Sequence, residues 1–247
     1  MSESERIYRK FSYKGANFRI ASSAFDAISA EIIRQREILS SYILRHGDFL
    51  TSLVPLAGID ADAPDIVKRM HSASVLTGVG PMAGVAGVNA QIASEAAVAS
   101  GADEAIVENG GDIYIFSQQE TVIALYAGEG PLSGALAVRI RPSMTPLSIC
   151  SSSGKMGHSL SMGDCDLATV TSSSGALADC AATLACNLVR EEKDIEVTLE
   201  KIMSIKGIHG ILIIKNGKIG IAGSFPELVK NLDTGTGAKV TRDRLSR

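Results

Sequence analysis

The segment 74–101, SVLTGVGPMAGVAGVNAQIASEAAVASG, limits what this chain can fold into more than any other. Gly78, Gly80 and Pro81 break the backbone into a loop. The helix that follows carries Ala83, Gly84, Ala86, Gly87 and Ala90 in its first turns. A glycine inside a helix costs up to about 1 kcal/mol relative to alanine, so several together need a compensating reason. Two reasons are available and the residues leave both open: the helix packs very closely on a sheet, or a ligand closely approaches its N-terminus. Gly101 closes the helix as a C-terminal cap. Composition points the same way. With 24 glycines, no Trp and only 4% aromatic residues, the 247-residue chain must build its core from small and aliphatic side chains. Its 45% hydrophobic content supplies enough apolar mass for that core and excludes intrinsic disorder.

Charge and cysteine usage narrow the function classes. Lys and Arg number 24 against 27 Asp and Glu, so no global basic field exists to attract nucleic acid. Cys150, Cys165, Cys180 and Cys186 are too few for a disulfide-stapled mini-protein and form no CxxC pair; they read as reduced, mostly buried thiols. The opening MSESERIYRK has no apolar run behind it, so no secretory signal is read there. The most apolar run, 210–214 (GILII), is far shorter than the roughly 20 residues a membrane span takes. The expectation is a cytoplasmic protein without a membrane or nucleic-acid partner. A homo-oligomer stays open.

Along the chain, 6–20 alternates apolar and polar residues around Lys14-Gly15 and predicts an opening hairpin. Ser22 and Ser23 offer an N-cap, with Asp26 three residues after Ser23. Phe25, Ile28, Ile32, Leu39 and Ile43 then share one face of a helix over about 24–45. Asp62 and Pro64 open a second helix around 63–73. Strands are predicted at 104–108, 112–117, 121–127, 135–141, 148–152 and 166–171. Helices follow at 176–189 and 195–205. The stretches 210–215 and 218–222 flank Asn216-Gly217, the strongest hairpin signal in the chain. No linker divides the sequence. The prediction is one α+β domain over 1–232, built on antiparallel sheet with helices on its faces, and a polar, flexible tail over 233–247.

Three segments place polar groups where a plain core would not. Glu108, Asn109 and Asp112 cluster around Gly110-Gly111 between two apolar strands. This is either a hairpin turn whose acids face water or a loop presenting backbone N–H groups and the Asn109 side chain to a ligand. Ser152, Ser153 and Gly154 follow a strand, with Lys155 and His158 close behind. Such a loop can offer N–H and O–H donors plus a cation to a phosphate or carboxylate, or His158 is surface decoration. The Walker spacing is absent, which rejects a nucleotide triphosphatase. Asp179 and Thr183, at i and i+4, share one helical face. As hard oxygen donors they suit Mg²⁺; alternatively Asp179 complements the positive N-terminus of its own helix.

Together these segments resemble the ApbE superfamily, flavin transferases that move FMN from FAD onto protein threonines or serines. Gly110-Gly111-Asp112 is similar to that family's glycine-glycine-aspartate motif. Leu177-Ala178-Asp179-Cys180-Ala181-Ala182-Thr183 is similar to its ADAxxT-type motif, which implies Mg²⁺ on Asp179 and Thr183. His158 falls where the family carries its catalytic histidine. Order and spacing hold over about 75–225. Ser159-Leu160-Ser161-Met162-Gly163 stands where the transferases have Asp-Pro and Thr-Gly, and Pro81-Met82-Ala83-Gly84 stands where they have a lysine-glycine pair. GPMAGVAG, VENGGDIY and SSGKMGHS more closely resemble a cytosolic ApbE-like family of uncharacterised proteins from archaea and anaerobic bacteria. The resemblance implies an ApbE-like, T-fold-related α+β fold. It also implies a pocket for a phosphate-bearing ligand, such as FAD with Mg, formed by Asn109, Gly110, Gly111, Asp112, Ser152, Ser153, Gly154 and Lys155. The alternative it carries is a non-catalytic accessory protein of sulfide assimilation into homocysteine, in which Cys150, Cys165 or Cys186 handles sulfide or persulfide.

Overall fold

The computed structural model describes residues 6–127, 132, 134–154 and 163–231. β1 (Arg9–Tyr13) and β2 (Ala16–Ser22) form the predicted opening hairpin, with Lys14 and Gly15 both at positive φ in its turn. α1 (Phe25–Ile43) buries Ile28, Ile32 and Leu39 as its periodicity requires. The predicted serine cap does not form. The Ser22 hydroxyl instead donates to the Glu104 carbonyl at 2.7 Å and accepts from the Ala24 N–H at 3.1 Å, so it ties the chain into a turn before the helix.

A short helix that the periodicity could not show, α2 (Gly47–Thr51), hangs on one side chain, the fully buried Phe49 packed edge-on against Tyr42. α3 (Asp65–Thr77) runs four residues beyond its predicted end and stops at Gly78, whose φ is 80°. Ser74 and Thr77 look like loop residues in the sequence. They stay inside the helix because their buried hydroxyls donate to backbone carbonyls, Ser74 to Val79 and Thr77 to Ala73. A 3-10 turn (Pro81–Gly84) leads into α4 (Val85–Ala99). At its far end the Gly101 N–H donates to the Val98 carbonyl and the Ala102 N–H to that of Ala97, with Gly101 at φ 90°. That is the glycine cap the sequence predicts.

Then come β3 (Ala105–Asn109), β4 (Asp112–Phe116), β5 (Thr121–Leu125), β6 (Leu136–Ile140), β7 (Leu147–Ser152) and β8 (Leu167–Ser172). α5 (Gly175–Leu188), α6 (Asp194–Met203), β9 (Ile208–Lys215), β10 (Lys218–Gly223) and β11 (Glu227–Lys230) complete the described chain. The eight-stranded sheet has the order β1-β2-β3-β4-β7-β8-β9-β10, and a three-stranded sheet has the order β11-β6-β5. Every neighbouring pair is antiparallel. The fold is α+β, as predicted.

The two faces of the large sheet are covered differently. Val107, Tyr114, Cys150, Val170 and Ile213 face α1, α3, α4, α5 and α6. Ile106, Ile115, Ile149, Leu212 and Ile214 face the small sheet. The helices thus occupy one face rather than both, and the β5-β6-β11 sheet takes the other. β11 was not predicted; its four residues are too few to show alternation. Among the described residues no helix is long and apolar enough to cross a membrane.

Candidate functional site

The two glycine-rich helix starts meet at backbone contact. A Cβ on Gly87 would stand 2.3 Å from the Gly175 carbonyl oxygen, and one on Gly175 would stand 2.2 Å from that of Gly87. On Gly84 it would reach the Ala176 carbonyl at 3.0 Å. Close packing is therefore what these glycines serve, against a second helix rather than the sheet. The Gln91 side chain of α4 accepts from the Gly175 N–H at 2.7 Å and fixes the crossing.

The approach of a group to the N-terminus of α4 is also realised, by a side chain of the same protein. Asp179 Oδ2 accepts from the Gly87 N–H at 2.9 Å, and the Ala86 N–H also bonds this carboxylate. Asp179 therefore complements the positive end of α4, not that of its own helix. α5 is capped by Ser174, whose hydroxyl accepts from the Leu177 N–H at 3.4 Å. Burial pushes the Asp179 carboxyl up to about 7, with the Gly87 and Ala86 N–H groups holding it down. Thr183 lies one turn further along the same face of α5, half-buried.

The β3–β4 turn closes on Gly110 and Gly111 at φ 64° and 105°, backbone conformations that favour glycine at both positions. Its polar residues do not face water, nor do they project from the strand end. Asn109 and Asp112 are only 4% and 7% exposed. Asn109 Nδ2 donates to the Ala86 carbonyl at 3.4 Å, and Asp112 Oδ1 accepts from the Ser151 N–H at 3.1 Å. The Asp112 carboxyl is raised well above the usual carboxylate range by burial, and further by the charge of Asp179; the Ser151 N–H and the Cys150 thiol oppose this. Cys150 lies beneath the pair, its Sγ 3.3 Å from Ser148 Oγ, and burial followed by the two carboxylates pushes its thiol up.

The structure thus brings Asn109, Gly110, Gly111, Asp112 and Asp179 together where α4 starts, with Thr183 a turn away. Ser152 ends the strand that supplies the Ser151 N–H and Ser153 follows it, both buried. The Gly154 N–H donates to the Cys165 carbonyl at 2.9 Å, and a Cβ there would meet the Gly163 carbonyl at 2.3 Å. Lys155 and His158 lie outside the described residues, as does the 233–247 tail. Sequence reasoning missed the Ala86 and Gly87 amides and Gln91, and named Cys150 only as a candidate for handling sulfide. The glycine run held the signal for the amides, and Gln91 stands at i+4 from Gly87. All four cysteines are buried and free. Among the described residues no group of three or more His, Cys, Asp or Glu could hold a metal. Beyond the far end of α5, an open cleft of about 570 Å³ is lined by Arg190, Lys193, Lys215 and Lys218 among others. Its lysines are each already paired, with Glu191, Asp164 and Glu192 respectively.

The family described as AbpE bacteria matches residues 14–217. A UPF0280 protein of Methanocaldococcus jannaschii is 41% identical over 204 residues, covering 81% of this chain and 82% of that protein. One from Methanocella arvoryzae is 36% identical over 229 residues, covering 89% and 93%. Among solved structures, the flavin transferase ApbE from Vibrio cholerae superposes with a TM-score of 0.59 at 14% identity, covering 90% of this chain and 98% of that one. That likeness establishes a shared fold.

Proposed function

The chain belongs to the family described as AbpE bacteria, and from that premise we propose that the junction of α4, α5 and the β3–β4 turn binds a phosphate-bearing ligand, with FAD and Mg²⁺ the first candidates, for a flavin-type transfer in the cytoplasm. The observation that carries the reading is the Asp179 carboxylate. It is held by backbone N–H groups beside a second buried acid, Asp112, and its proton affinity is raised to about 7. Two such acids are difficult to ionise together without a cation. The donor set fits a hard divalent ion: a carboxylate and a hydroxyl one turn apart on α5, leaving further positions for water and phosphate oxygens. Asp179 and Thr183 would hold Mg²⁺, which neutralises phosphate charge when bound.

The remaining roles belong to the chain itself. The Ser152 and Ser153 hydroxyls and the amides of the Gly110-Gly111 turn supply neutral donors to phosphate oxygens, and Lys155 supplies a cation. Asn109 and Asp112 position the turn through α4 and β7 rather than by touching the ligand. His158 takes the proton of an acceptor hydroxyl as general base. Calorimetric titration of the purified protein with FAD in the presence of Mg²⁺ tests the reading. Saturable heat at tens of micromolar that disappears in Asp179→Asn is expected. No heat above a flavin-free blank overturns the flavin assignment.

A further inference from the structure

Two of the cysteines form a pair that the proposed site does not use. Cys165 precedes β8, and Cys186 sits in the last turn of α5. Their thiols are hydrogen-bonded to one another, and Cys165 Sγ lies 3.5 Å from the Ile214 carbonyl of β9. The backbones around them are already locked together. A Cβ on Gly163 would stand 1.8 Å from the Cys186 carbonyl oxygen, and the Asp164 N–H donates to the Val189 carbonyl at 3.1 Å. Both side chains are fully buried. Cys150 and Cys180 have other partners: Cys150 contacts Ser148 and Asp112, and Cys180 bonds to Thr77.

We propose that Cys165 and Cys186 are a reversible dithiol–disulfide pair, closed by a small peroxide into a bond that fastens the lead-in to β8 onto the C-terminal turn of α5. One thiol gives up its proton and the thiolate attacks a peroxide oxygen; the O–O bond breaks, the departing hydroxide takes up that proton and leaves as a first water, and a sulfenic acid remains. The neighbouring sulfur then attacks it: the S–S bond forms, the S–O bond breaks, and the departing hydroxide leaves with the thiol proton as a second water. Two cysteines lose two electrons, and one peroxide is reduced to two waters. The two sulfurs start from hydrogen-bond contact, and the segments that carry them are already joined by the Asp164–Val189 backbone bond. The hydrogen bond to Cys186 and burial both push the Cys165 thiol up, so the dithiol is the resting form at neutral pH and oxidation accelerates as pH rises. The pairing is independent of what the neighbouring pocket binds.

The test is peroxide treatment of the full chain at pH 7 and pH 9, a catalase quench, denaturation, alkylation with N-ethylmaleimide and peptide mass spectrometry. The expected product is a Cys165–Cys186 cross-linked peptide that forms faster at pH 9, leaves Cys150 and Cys180 alkylated, and is reversed by dithiothreitol. The oxidised protein should melt higher than the reduced one by roughly 5–10 °C, because the bond closes a loop of about 20 residues in the unfolded chain. Cys186→Ser should abolish both the cross-link and the melting shift on oxidation. Overturning results are sulfinic or sulfonic acid at Cys165 without a cross-link, a cross-link that includes Cys150 or Cys180, or full alkylation of Cys165 and Cys186 after prolonged treatment at pH 9.

Discussion

Replacing Gly87 by alanine tests the contact on which the site is built. The new Cβ would lie 2.3 Å from the Gly175 carbonyl oxygen, 2.8 Å from its carbon and 3.0 Å from Asp179 Cβ. The first two are backbone atoms of α5, so no side chain can turn aside. Restoring an ordinary contact of about 3.4 Å requires the two helices to part by about 1 Å. Overpacking of this kind costs about 1–3 kcal/mol, and a displaced helix pair belongs at the upper end. Against it stands the helix propensity gained on going from glycine to alanine, up to about 1 kcal/mol. The net expectation is a loss of about 2 kcal/mol, or a Tm lower by roughly 4–8 °C for a chain of this size. The assay is thermal and urea denaturation of the wild type, Gly87→Ala and Gly47→Ala. In Gly47→Ala the new Cβ meets nothing within 4 Å, so its Tm should stay at or slightly above the wild-type value. Gly175→Ala opens the same contact from the other side. The double variant should therefore lose clearly less than the two single losses summed. If Gly87→Ala melts within 1 °C of wild type, the helices are not in backbone contact and the reasoning fails.

Asp179 gives a pH dependence of defined sign. Its carboxyl titrates near 3.8 when unfolded and near 7 when folded, so between those values the folded state holds the extra proton. Stability of the metal-free protein should fall from about pH 4 to about pH 7 and flatten above. The slope should shrink in Asp179→Asn, measured as urea midpoints across pH. Thr183→Val should weaken Mg²⁺ binding by roughly tenfold, equivalent to about 1.4 kcal/mol, with Tm nearly unchanged; calorimetry with Mg²⁺ alone checks it. In the folded protein Cys150, Cys165, Cys180 and Cys186 should all resist N-ethylmaleimide, because all four are buried away from a reagent of that size. Rapid labelling of Cys150, Cys165 or Cys186 would instead favour a sulfur-handling role.

What the sequence made legible was whatever is periodic or local. α1 shows its apolar stripe, and the β9–β10 hairpin is announced by Asn216-Gly217, which indeed adopt φ 50° and 79°. α2 and β11 escaped because five and four residues show no period. The site was half legible for a different reason. An acid in an apolar helix marks itself, so Asp179 could be found, but its partner is an amide 92 residues earlier in the chain. Gly87 reads alone as a weak point in a helix and Gly175 as the residue before one; only their juxtaposition makes either one necessary. That juxtaposition also accounts for the local run of small residues. Two helices in backbone contact leave no volume between them for a ring, and the residues around the crossing are Gly84, Ala86, Ala176 and Ala178, with the thiols of Cys150 and Cys180. The small residues at this crossing are thus a consequence of the geometry that lets the N–H groups of α4 reach a carboxylate on α5. A chain with larger residues at these positions would keep the same sheet and lose the contact that holds Asp179 in place.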